Sequence, residues 1–468
     1  MVNPRGVSSI HVLLTGVWRC LLKDVKNKAR HFLFPHRKVD RVFQFTRGTE
    51  KGKILIKVDN VVFLSDELNI RAGGPCGYVA NLEKALEEYG GSDSVAFISK
   101  SDVAHLKVRE RCPIPKEIAR ALSCWVPIKK YRKQLRQRIL SLIWRKGNID
   151  YLDVDAEGYT GYAEVLDQLD FKAITCHCTR DAIFIRNYLT ARQKNAKLLL
   201  MSHSPELPSQ EMYHGAKLNG DQQAESIYRL WQGIERKAFD VADVLVFPTK
   251  EAMEPYISGA EYFQALIRGK EIQFVTTGCE KIDSSKSSID IRERYNVATK
   301  YIVSFIGRHT YIKGYDKLKE IASAVLAARD DVTFVVGGTQ SEEFAPLSHP
   351  RWIELGRVNP ADVLKVSDLF ILPNRQTYFD LVLLEVLSAG VPVIASNTGG
   401  NKSVYAATRA IDLYDTTDDC VTKINCYLDS TEEFKNQKRA LSSAAYANTY
   451  TLKHFAENYL ELISRVAI

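Results

Sequence analysis

The chain has 468 residues, of which 45% are hydrophobic and 26% charged, so its composition excludes a disordered chain and indicates a globular protein with a sizeable core. The formal net charge of +8, from 64 basic and 56 acidic residues, is a mild excess whose distribution matters more than its size. The nine cysteines are scattered and odd in number, which argues against a disulfide framework and for a reducing compartment. No apolar run reaches the ~18 residues of a membrane-spanning helix and no secretory signal is indicated, so we expect a cytoplasmic protein.

Segments with strand and helix patterns alternate along most of the chain, in two successive units. Residues 1–50 form a basic extension, and residues 51–280 have the pattern of a first α/β domain. A polar segment at 281–300 is typical of a linker, and a second α/β domain follows at 301–450. Residues 451–468 have the pattern of an amphipathic helix that can pack back on the first domain. We therefore predict an α/β fold of two doubly wound, Rossmann-like domains facing a cleft.

Glycine and histidine mark loops that follow strands of the first domain, where such sheets bind ligands. The stretch GGPCGYVANL places Gly73 and Gly74 between a strand and a helix, where glycine permits close backbone approach to a phosphate or a sugar. Glycine turns of this kind are common, so the signal is weak by itself. Cys176 and Cys178 flank His177, but no second cluster has metal-ligand spacing, so we interpret them as the edge of a strand and predict no metal site.

Two cations follow the first strand of the second domain. In the stretch FIGRHTYIKG, Arg308 and Lys313 stand in the loop directly after an apolar segment that has the pattern of a buried strand. Arginine offers a planar fork and lysine a point charge, and both suit a diphosphate. A pair of solvated surface cations explains this spacing equally well, so the residues alone leave both interpretations open.

A single carboxylate stands in an apolar helix further along the second domain. A helix is predicted from Leu381 to about Ser388, with Asp380 as its cap. Glu385 lies in the second turn of this helix, among apolar neighbours that leave little polar surface. A carboxylate there can accept hydrogen bonds from two ribose hydroxyls, and the free amides at the helix start form a ready anion site. A surface glutamate is the alternative.

Taken together, these segments resemble the C-terminal domain of the retaining GT-B glycosyltransferases of family four. The resemblance runs from Ile302 to Gly400 and includes VVGG, ELGRV, SDLFILPN, FDLVLLEVLSAGVPVIAS and TGG in the family's order and spacing. The first domain resembles the family more weakly, through GGPCGYVANLEKAL and the MSHSPE turn.

The resemblance implies a role for each matching residue. Arg308 and Lys313 would hold the donor diphosphate and stabilise the charge that builds on the leaving group, and Glu385 would bind the ribose. No metal and no resident cofactor would be required, because the nucleotide-sugar, with a UDP-sugar favoured, is a co-substrate. Further residues of both domains would lie near the donor sugar and its phosphates: Gly74, His203, Gly307, Thr377, Phe379, Asp380 and Leu381.

The chain departs from the family at two positions. The family's Glu-x7-Glu motif ends at Glu385, and where its first glutamate should stand this chain has Thr377. That glutamate ordinarily contacts hydroxyls of the donor sugar, and Thr377 can still hydrogen-bond one. A glycine of the family is replaced by Asp380, which as a helix cap would compete with phosphate for the helix amides. We interpret these changes as those of a subfamily variant, because Arg308, Lys313 and Glu385 remain.

Basic segments outside these motifs indicate a surface partner. Residues 124–147 combine many Lys and Arg with one apolar helical stripe and carry Trp125 and Trp144 near the ends. This composition fits a helix lying in an anionic membrane interface, and residues 10–32 have a related character. A packed helix with a solvated basic face, or RNA binding, are the alternatives; we favour membrane contact and expect no nucleic-acid partner.

These features favour transfer of a sugar from a nucleotide-sugar to a glycan or lipid-linked saccharide at the cytoplasmic membrane face, in polysaccharide or glycoconjugate synthesis. A lipid-linked acceptor would explain the basic segments, since the enzyme would meet its substrate in the membrane plane. The alternative is a catalytically silent GT-B partner that binds a glycan or a polypeptide and supports another transferase; Thr377 is the main argument for it. An epimerase on the same fold would need no acceptor, but the motifs after Leu372 fit transferases better.

Overall fold

The structure is a computed structural model that describes residues 55–68, 74–103, 159, 161–218, 220, 222–339 and 344–467. The predicted basic extension and both basic segments, 10–32 and 124–147, lie outside these ranges, so membrane contact stays a prediction. Within the ranges given, no helix is both long and apolar enough to cross a bilayer.

The first domain is built on a six-stranded parallel sheet with the strand order β2-β1-β3-β4-β5-β6. Its strands are β1 (Ile56–Phe63), β2 (Val95–Ile98), β3 (Leu169–Cys176), β4 (Lys197–Leu200), β5 (Val244–Phe247) and β6 (Glu271–Phe274). Its helices are α1 (Gly74–Tyr89), α2 (Lys100–Val103), α3 (Tyr162–Leu166), α4 (Thr179–Ala191), α5 (Pro208–Leu218), α6 (Ala224–Val241), α7 (Glu254–Gly259) and α8 (Glu261–Ile267), with a 3-10 turn at Glu251–Met253. The strand order reverses between β1 and β3, so the loops after these two strands line the crevice where such folds bind ligands.

The second domain repeats this architecture with the strand order β12-β11-β10-β7-β8-β9, again all parallel. Its strands are β7 (Tyr301–Ile306), β8 (Val332–Gly337), β9 (Trp352–Glu354), β10 (Leu369–Leu372), β11 (Val393–Ser396) and β12 (Ile411–Tyr414). Its helices and the C-terminal helix are α9 (Ser288–Arg294), α10 (Tyr315–Ala328), α11 (Pro360–Val366), α12 (Leu381–Ser388), α13 (Gly399–Thr408), α14 (Thr417–Asp429), α15 (Glu432–Thr449) and α16 (Leu452–Val466). This order reverses between β7 and β10, which places the second crevice at the loops that carry the predicted donor residues.

The central strands are apolar along their length because helices cover both faces of each sheet. Every residue of β8 and of β10 is buried, and so is every residue of β7 except the last. A strand that is buried on both faces has no solvent-facing polar residues, so apolar and polar residues do not alternate along it. This explains why the sequence pattern shows short continuous apolar runs.

Many helices of the second half begin on a side chain that accepts a hydrogen bond from a helix amide. Such a cap satisfies one of the free N–H groups of the first turn and contributes about 1 kcal/mol. The capping residues are Ser287, Asn359, Thr416, Thr431 and Thr451. Helix α12 is an exception, because Asp380 stands at its cap position without a side-chain bond to the helix.

The C-terminal helix α16 belongs to the core of the first domain, although the chain before it forms the second. The Asn60 side chain donates a hydrogen bond to the Tyr459 hydroxyl at 2.7 Å, and that hydroxyl lies 3.1 Å from the Thr175 hydroxyl. The Phe455 ring packs edge-on against Tyr78, with 5.0 Å between ring centroids. The helix therefore ties the end of the chain to α1, β1 and β3 beside the first crevice.

The loop after β10 inserts an aromatic side chain from the second domain into the first. Tyr378 is buried in the core of the first domain, and its hydroxyl donates to the Val246 carbonyl at 3.2 Å. Helix α13 adds polar contacts to the same face: Lys402 pairs with Glu254 at 2.8 Å, and the Ser403 hydroxyl donates to Glu251 at 2.6 Å. The two domains thus meet directly beside the loop between β10 and α12, which carries Thr377 and Asp380 and is called the donor loop below.

Candidate functional site

The loops after β7 and β10 are held against each other at the strand-order reversal. The Arg375 amide donates to the Ile312 carbonyl at 2.9 Å, which joins the two loops through their backbones. Gly314 has φ +66°, and a Cβ there would lie 1.8 Å from the Pro373 carbonyl oxygen. Only glycine fits so close an approach, so the sequence Lys313-Gly314 fixes the lysine beside the β10 loop.

Gly307, predicted to lie near the donor, follows β7 directly and contacts the next loop of the sheet. Its amide donates to the Gly337 carbonyl at 3.0 Å. Gly338 has φ +144°, and a Cβ there would come within 1.7 Å of the Gly307 carbonyl oxygen. The backbone after β7 is therefore packed without intervening side chains, which leaves Arg308 as the first long side chain after the strand.

Lys313 forms an ion pair with Asp380, and the two side chains are 17% and 12% exposed. Asn374 donates an amide hydrogen bond to the other carboxylate oxygen at 2.6 Å. Burial raises the pKa of Asp380, but the Lys313 ammonium, Asn374 and the Thr377 hydroxyl outweigh it, so the pKa stays below its ordinary value. The carboxylate is therefore ionised at neutral pH, and the pair carries no net charge.

The expectation that Asp380 caps α12 with its side chain is wrong. The residue occupies the position before Leu381, but its carboxylate accepts no hydrogen bond from the helix. The physical reason is the half-buried ammonium of Lys313, because a hydrogen bond between two charged groups is stronger than one to a neutral amide. The first amides of α12 consequently have no side-chain cap.

Thr377, which we predicted to replace the first glutamate of the motif, is fully buried. Its hydroxyl lies close enough to Asp380 to help lower the pKa of that carboxylate. Its carbonyl faces the start of α13, where the Gly400 amide approaches at 3.4 Å. In this conformation Thr377 supports the loop and presents no surface to the cleft.

Arg308 reaches toward the first domain. Its side chain is 63% exposed, and its guanidinium lies 3.9 Å from the Glu211 carboxylate on α5. Glu211 also accepts a hydrogen bond of 2.5 Å from Ser204, in the loop after β4. The two predicted diphosphate cations therefore start from one loop but have different partners, one in each domain.

Glu385 is largely buried in the second turn of α12, and no described residue forms an ion pair or hydrogen bond with its carboxylate. Burial raises the pKa of Glu385 to about 7. Its charge in turn helps raise the pKa of the nearby Cys279 thiol, which burial raises already. Near neutral pH the carboxylate is thus poised between its two protonation states, and a hydrogen-bond donor would favour the ionised one.

A neutral histidine pair lines the crevice of the first domain. His177 follows β3 and His203 follows β4, and His177 Nδ1 lies 2.9 Å from His203 Nε2. Burial lowers the pKa of His203 to about 3, and burial together with His203 lowers the pKa of His177 well below its ordinary value. Both rings are neutral at neutral pH, so one donates and the other accepts. The Tyr78 ring packs on both, with centroids 5.3 Å from His177 and 4.8 Å from His203.

The structure brings some of the predicted residues together and separates others. Lys313, Thr377 and Asp380 form one cluster, and Phe379 and Leu381 adjoin it along the chain. Arg308 faces the other domain, and Glu385 lies one helical turn beyond Leu381 on α12. In the first domain Gly74 begins α1, and His203 reaches the donor loop through the Tyr378 ring, at 5.9 Å between centroids.

Sequence reasoning missed four residues that shape the site: Asn374, Tyr378, His177 and Glu211. For His177 a signal was available in the sequence, because it directly follows a segment with a strand pattern, and ligands bind in the loops after strands of such sheets. Tyr378 and Glu211 have partners from distant parts of the chain, which no local pattern reveals, and the contact of Asn374 with Asp380 depends on the fold of the loop after β10.

Comparison with known proteins agrees with this architecture. Residues 300–429 match the family model described as Glycosyl transferases group 1. The D-inositol 3-phosphate glycosyltransferase of Corynebacterium jeikeium is 24% identical over 188 residues, which cover 36% of this chain and 44% of that protein. The chain thus spans less than half the length of this curated relative.

Two solved structures resemble nearly the whole chain. Sucrose-phosphate synthase from Thermosynechococcus elongatus has a TM-score of 0.58 and 15% identity, covering 87% of this chain and 98% of its own. HepE from Anabaena, in complex with UDP-glucose, has a TM-score of 0.54 and 14% identity, covering 87% of this chain and 99% of its own. At such identities the likeness concerns the fold, and it confirms the prediction of two Rossmann-like domains in the GT-B arrangement. The resemblance of the second domain to group 1 glycosyl transferases is likewise confirmed.

Proposed function

We propose that the chain is a glycosyltransferase that moves a sugar from a nucleotide-sugar donor to a glycan or lipid-linked saccharide, with retention and without a metal. The observation that carries the proposal is the position of Lys313. This half-buried cation is paired with the residue at the uncapped start of α12, where the strand order of the second sheet reverses. The same segment lies within the residues that match the family model. A UDP-sugar is the donor we favour, and the UDP-glucose bound by HepE supports that choice.

Departure of a nucleoside diphosphate places negative charge on the phosphate that leaves the sugar. An ammonium and helix amides fixed in a crevice stabilise such charge without reorganisation, and stabilisation of this kind supplies most of the rate enhancement in many enzymes. In the proposal Lys313 and the first amides of α12 supply this stabilisation, and Arg308 adds a cation from the cleft side. The acceptor attacks on the face from which the diphosphate leaves, and a donor phosphate oxygen takes its proton.

Glu385 is proposed to hold the ribose of the donor. Two hydroxyls that donate to its carboxylate would stabilise the ionised form and lower the pKa from about 7. Donor binding near neutral pH would then release a fraction of a proton from this group. Calorimetry in two buffers of different ionisation enthalpy measures that release directly, and Glu385→Gln is the matched control that should show none.

The second candidate function is a catalytically silent GT-B partner that binds a glycan or a polypeptide. Two observations favour it: Lys313 is already neutralised by Asp380, and Thr377 is buried where the family has a glutamate. A silent partner need not bind a nucleotide, whereas a transferase must. The two candidates therefore differ in a measurement that requires no knowledge of the acceptor.

The test is a panel of UDP- and GDP-sugars offered to the purified chain with and without EDTA. We expect one donor to raise the melting temperature and to be hydrolysed slowly without acceptor, with no loss on chelation. Lys313→Ala should lose hydrolysis, while Lys286→Ala, which breaks an ion pair with Asp362 in the same domain, should keep it. A folded chain that binds no nucleotide and hydrolyses no donor would favour the silent partner.

Membrane contact at the cytoplasmic face is proposed from the basic segments and is tested separately. Vesicles with anionic lipid should recover the full chain, and vesicles of zwitterionic lipid should recover much less. Deleting roughly the first 45 residues should weaken this recovery and leave donor binding unchanged. Equal recovery on both vesicle types would remove the membrane from the proposal and leave a water-soluble glycan as the acceptor.

A further inference from the structure

The Lys313–Asp380 pair places a carboxylate at the cation on which the proposed donor site depends. Lys313 and Asp380 are 67 positions apart in sequence, so the contact is a product of the fold. Asn374 fixes the carboxylate from its other side at 2.6 Å. Two hydrogen-bond donors, Lys313 and Asn374, thus fix the position of the Asp380 carboxylate.

A phosphate at Lys313 would have to share that ammonium with an ionised, largely buried carboxylate. Like charges at such a separation repel strongly where water is largely excluded, and a single lysine cannot neutralise both. Protonation offers no relief at neutral pH, because Lys313 and Asn374 hold the pKa of Asp380 below its ordinary value. A phosphate therefore binds either by displacing Asp380 from Lys313 or with much reduced affinity.

We propose that Asp380 is a specificity-determining residue that fills the phosphate position at Lys313 in the donor-free protein and weakens binding of nucleoside diphosphates. The inference rests on the proposed function, in which Lys313 holds the donor diphosphate. Glycine, the family's usual residue here, could not make this pair, so the substitution changes the charge of the site by a full unit. The donor must therefore gain enough from its other contacts to move Asp380 off the lysine.

The position of Asp380 shows where its side chain can move. The residue precedes Leu381 at the cap position of α12, whose first amides have no side-chain partner. Rotation toward these amides would give the carboxylate neutral donors in place of Lys313. A diphosphate that binds these amides would compete with Asp380 there as well. Asp380 therefore competes with the diphosphate in both positions of its side chain, at Lys313 and at the helix amides.

The experiment measures binding of inorganic pyrophosphate and of UDP to the full chain, by calorimetry and by thermal shift. Asp380→Asn keeps the shape of the side chain, and Asp380→Gly restores the family's residue. Both should bind pyrophosphate and UDP at least about 10-fold more tightly than the unaltered protein, because Lys313 is released. Asp362→Asn is the matched control: it removes a carboxylate that is paired with Lys286, and it should leave both affinities unchanged.

Adding Lys313→Ala to Asp380→Asn should abolish the gain, which assigns it to the lysine. A variant that is unfolded alone is measured with pyrophosphate present, since the anion should take the place of the missing carboxylate and restore cooperative unfolding. The proposal is overturned if pyrophosphate binds the unaltered protein as tightly as the variants, if it binds none of them, or if it fails to restore an unfolded variant. The proposed function fails differently: the variants bind pyrophosphate more tightly, but no form binds UDP or GDP.

Discussion

The two sides of the cleft hold their polar groups in opposite electrostatic states. At the second domain the half-buried Lys313 and Asp380 are charged, whereas at the first the buried His177 and the half-buried His203 are neutral. Burial penalises the charged form on both sides. The difference lies in the partners: the lysine pairs with a carboxylate, whereas among the described residues the histidines contact each other and aromatic rings.

This contrast suggests that the two sides of the cleft bind different chemical groups in the proposed reaction. A charged cluster suits a diphosphate, whose recognition depends on electrostatic attraction. Neutral rings held by a mutual hydrogen bond suit the hydroxyls of a sugar, which need donors and acceptors in fixed directions. Tyr378 joins the two sides, since it leaves the charged loop and ends in the first domain near His203.

The largest effect is expected from removing the cation of the charged side. Lys313→Ala should lower kcat/KM for transfer by a factor of about 10²–10³, as loss of one transition-state donor typically does. It also leaves the Asp380 carboxylate buried without its cation, which should cost roughly 3–5 kcal/mol of unfolding free energy. Lys286→Ala is the control for the loss of an ion pair alone. Unchanged turnover would remove Lys313 from the diphosphate site.

A smaller effect is expected for the ribose carboxylate. Glu385→Gln should weaken nucleotide affinity by about 1–3 kcal/mol, because a hydrogen-bonded charge is lost. In the unaltered protein, affinity should rise with pH through about 7 as the carboxylate ionises, and the variant should show no such inflection. Titration calorimetry between pH 5.5 and 8.5 measures the loss of affinity in the variant and the dependence of affinity on pH. An affinity of the unaltered protein that does not change with pH would exclude Glu385 from the ribose contact.

Stability should respond to Glu385 in the opposite sense. Its pKa is raised in the folded state to about 7, so the folded protein holds the proton more tightly than the unfolded chain. The stability contributed by the protonated form is complete below the unfolded pKa and is lost as pH rises through 7. Glu385→Gln should therefore be the more stable protein at pH 8, by up to roughly 3 kcal/mol, and nearly equal to the unaltered one at pH 4.5. Thermal unfolding at the two pH values measures this.

The neutral side should give a modest effect that does not depend on pH. His177→Phe removes the nitrogen that holds His203 and should lower kcat about 10-fold, as loss of a positioning group can do. His177→Asn, whose amide can replace Nδ1, should recover most of the rate. Between pH 5.5 and 8.5 the ratio of variant to unaltered rates should stay constant, because His203 is neutral throughout. A ratio that changes with pH would show that a histidine charge takes part.

The smallest effect is expected where the two sides are joined. Tyr378→Phe keeps the ring in the core of the first domain and removes only the hydrogen bond to Val246. The unfolding free energy should fall by about 0.5–1.5 kcal/mol, with little change in nucleotide affinity. A large loss of affinity would show that the joint between the domains, and not the charged side alone, sets donor binding.

Local sequence patterns predicted much of the second domain. The helix expected from Leu381 to about Ser388 has those bounds, and the strands around it are the expected apolar runs. These predictions succeeded because caps, breakers and apolar runs act over a few residues. The position of Lys313 after β7 followed in the same way, since the loop at the end of a strand is a local feature.

Predictions about partners were less successful. The side chain of Asp380 was expected on the helix amides and lies instead on Lys313. Arg308 lies 3.9 Å from Glu211 of the other domain, and its place with Lys313 at one diphosphate stays a prediction. The partners Lys313 and Glu211 belong to segments far along the chain from Asp380 and Arg308, so these pairs depend on which strands become neighbours.

The sequence by itself determined the class of fold, the loops that hold polar residues and the helix that carries Glu385, because each of these rests on contacts between residues close along the chain. Only the tertiary structure decided the charge state of those residues. Burial and neighbours from distant segments keep Asp380 ionised, raise the pKa of Glu385 to about 7 and lower that of His203 to about 3. The physical reason is that the free energy of a charge depends on everything within a few ångströms of it in space, whatever the separation in sequence.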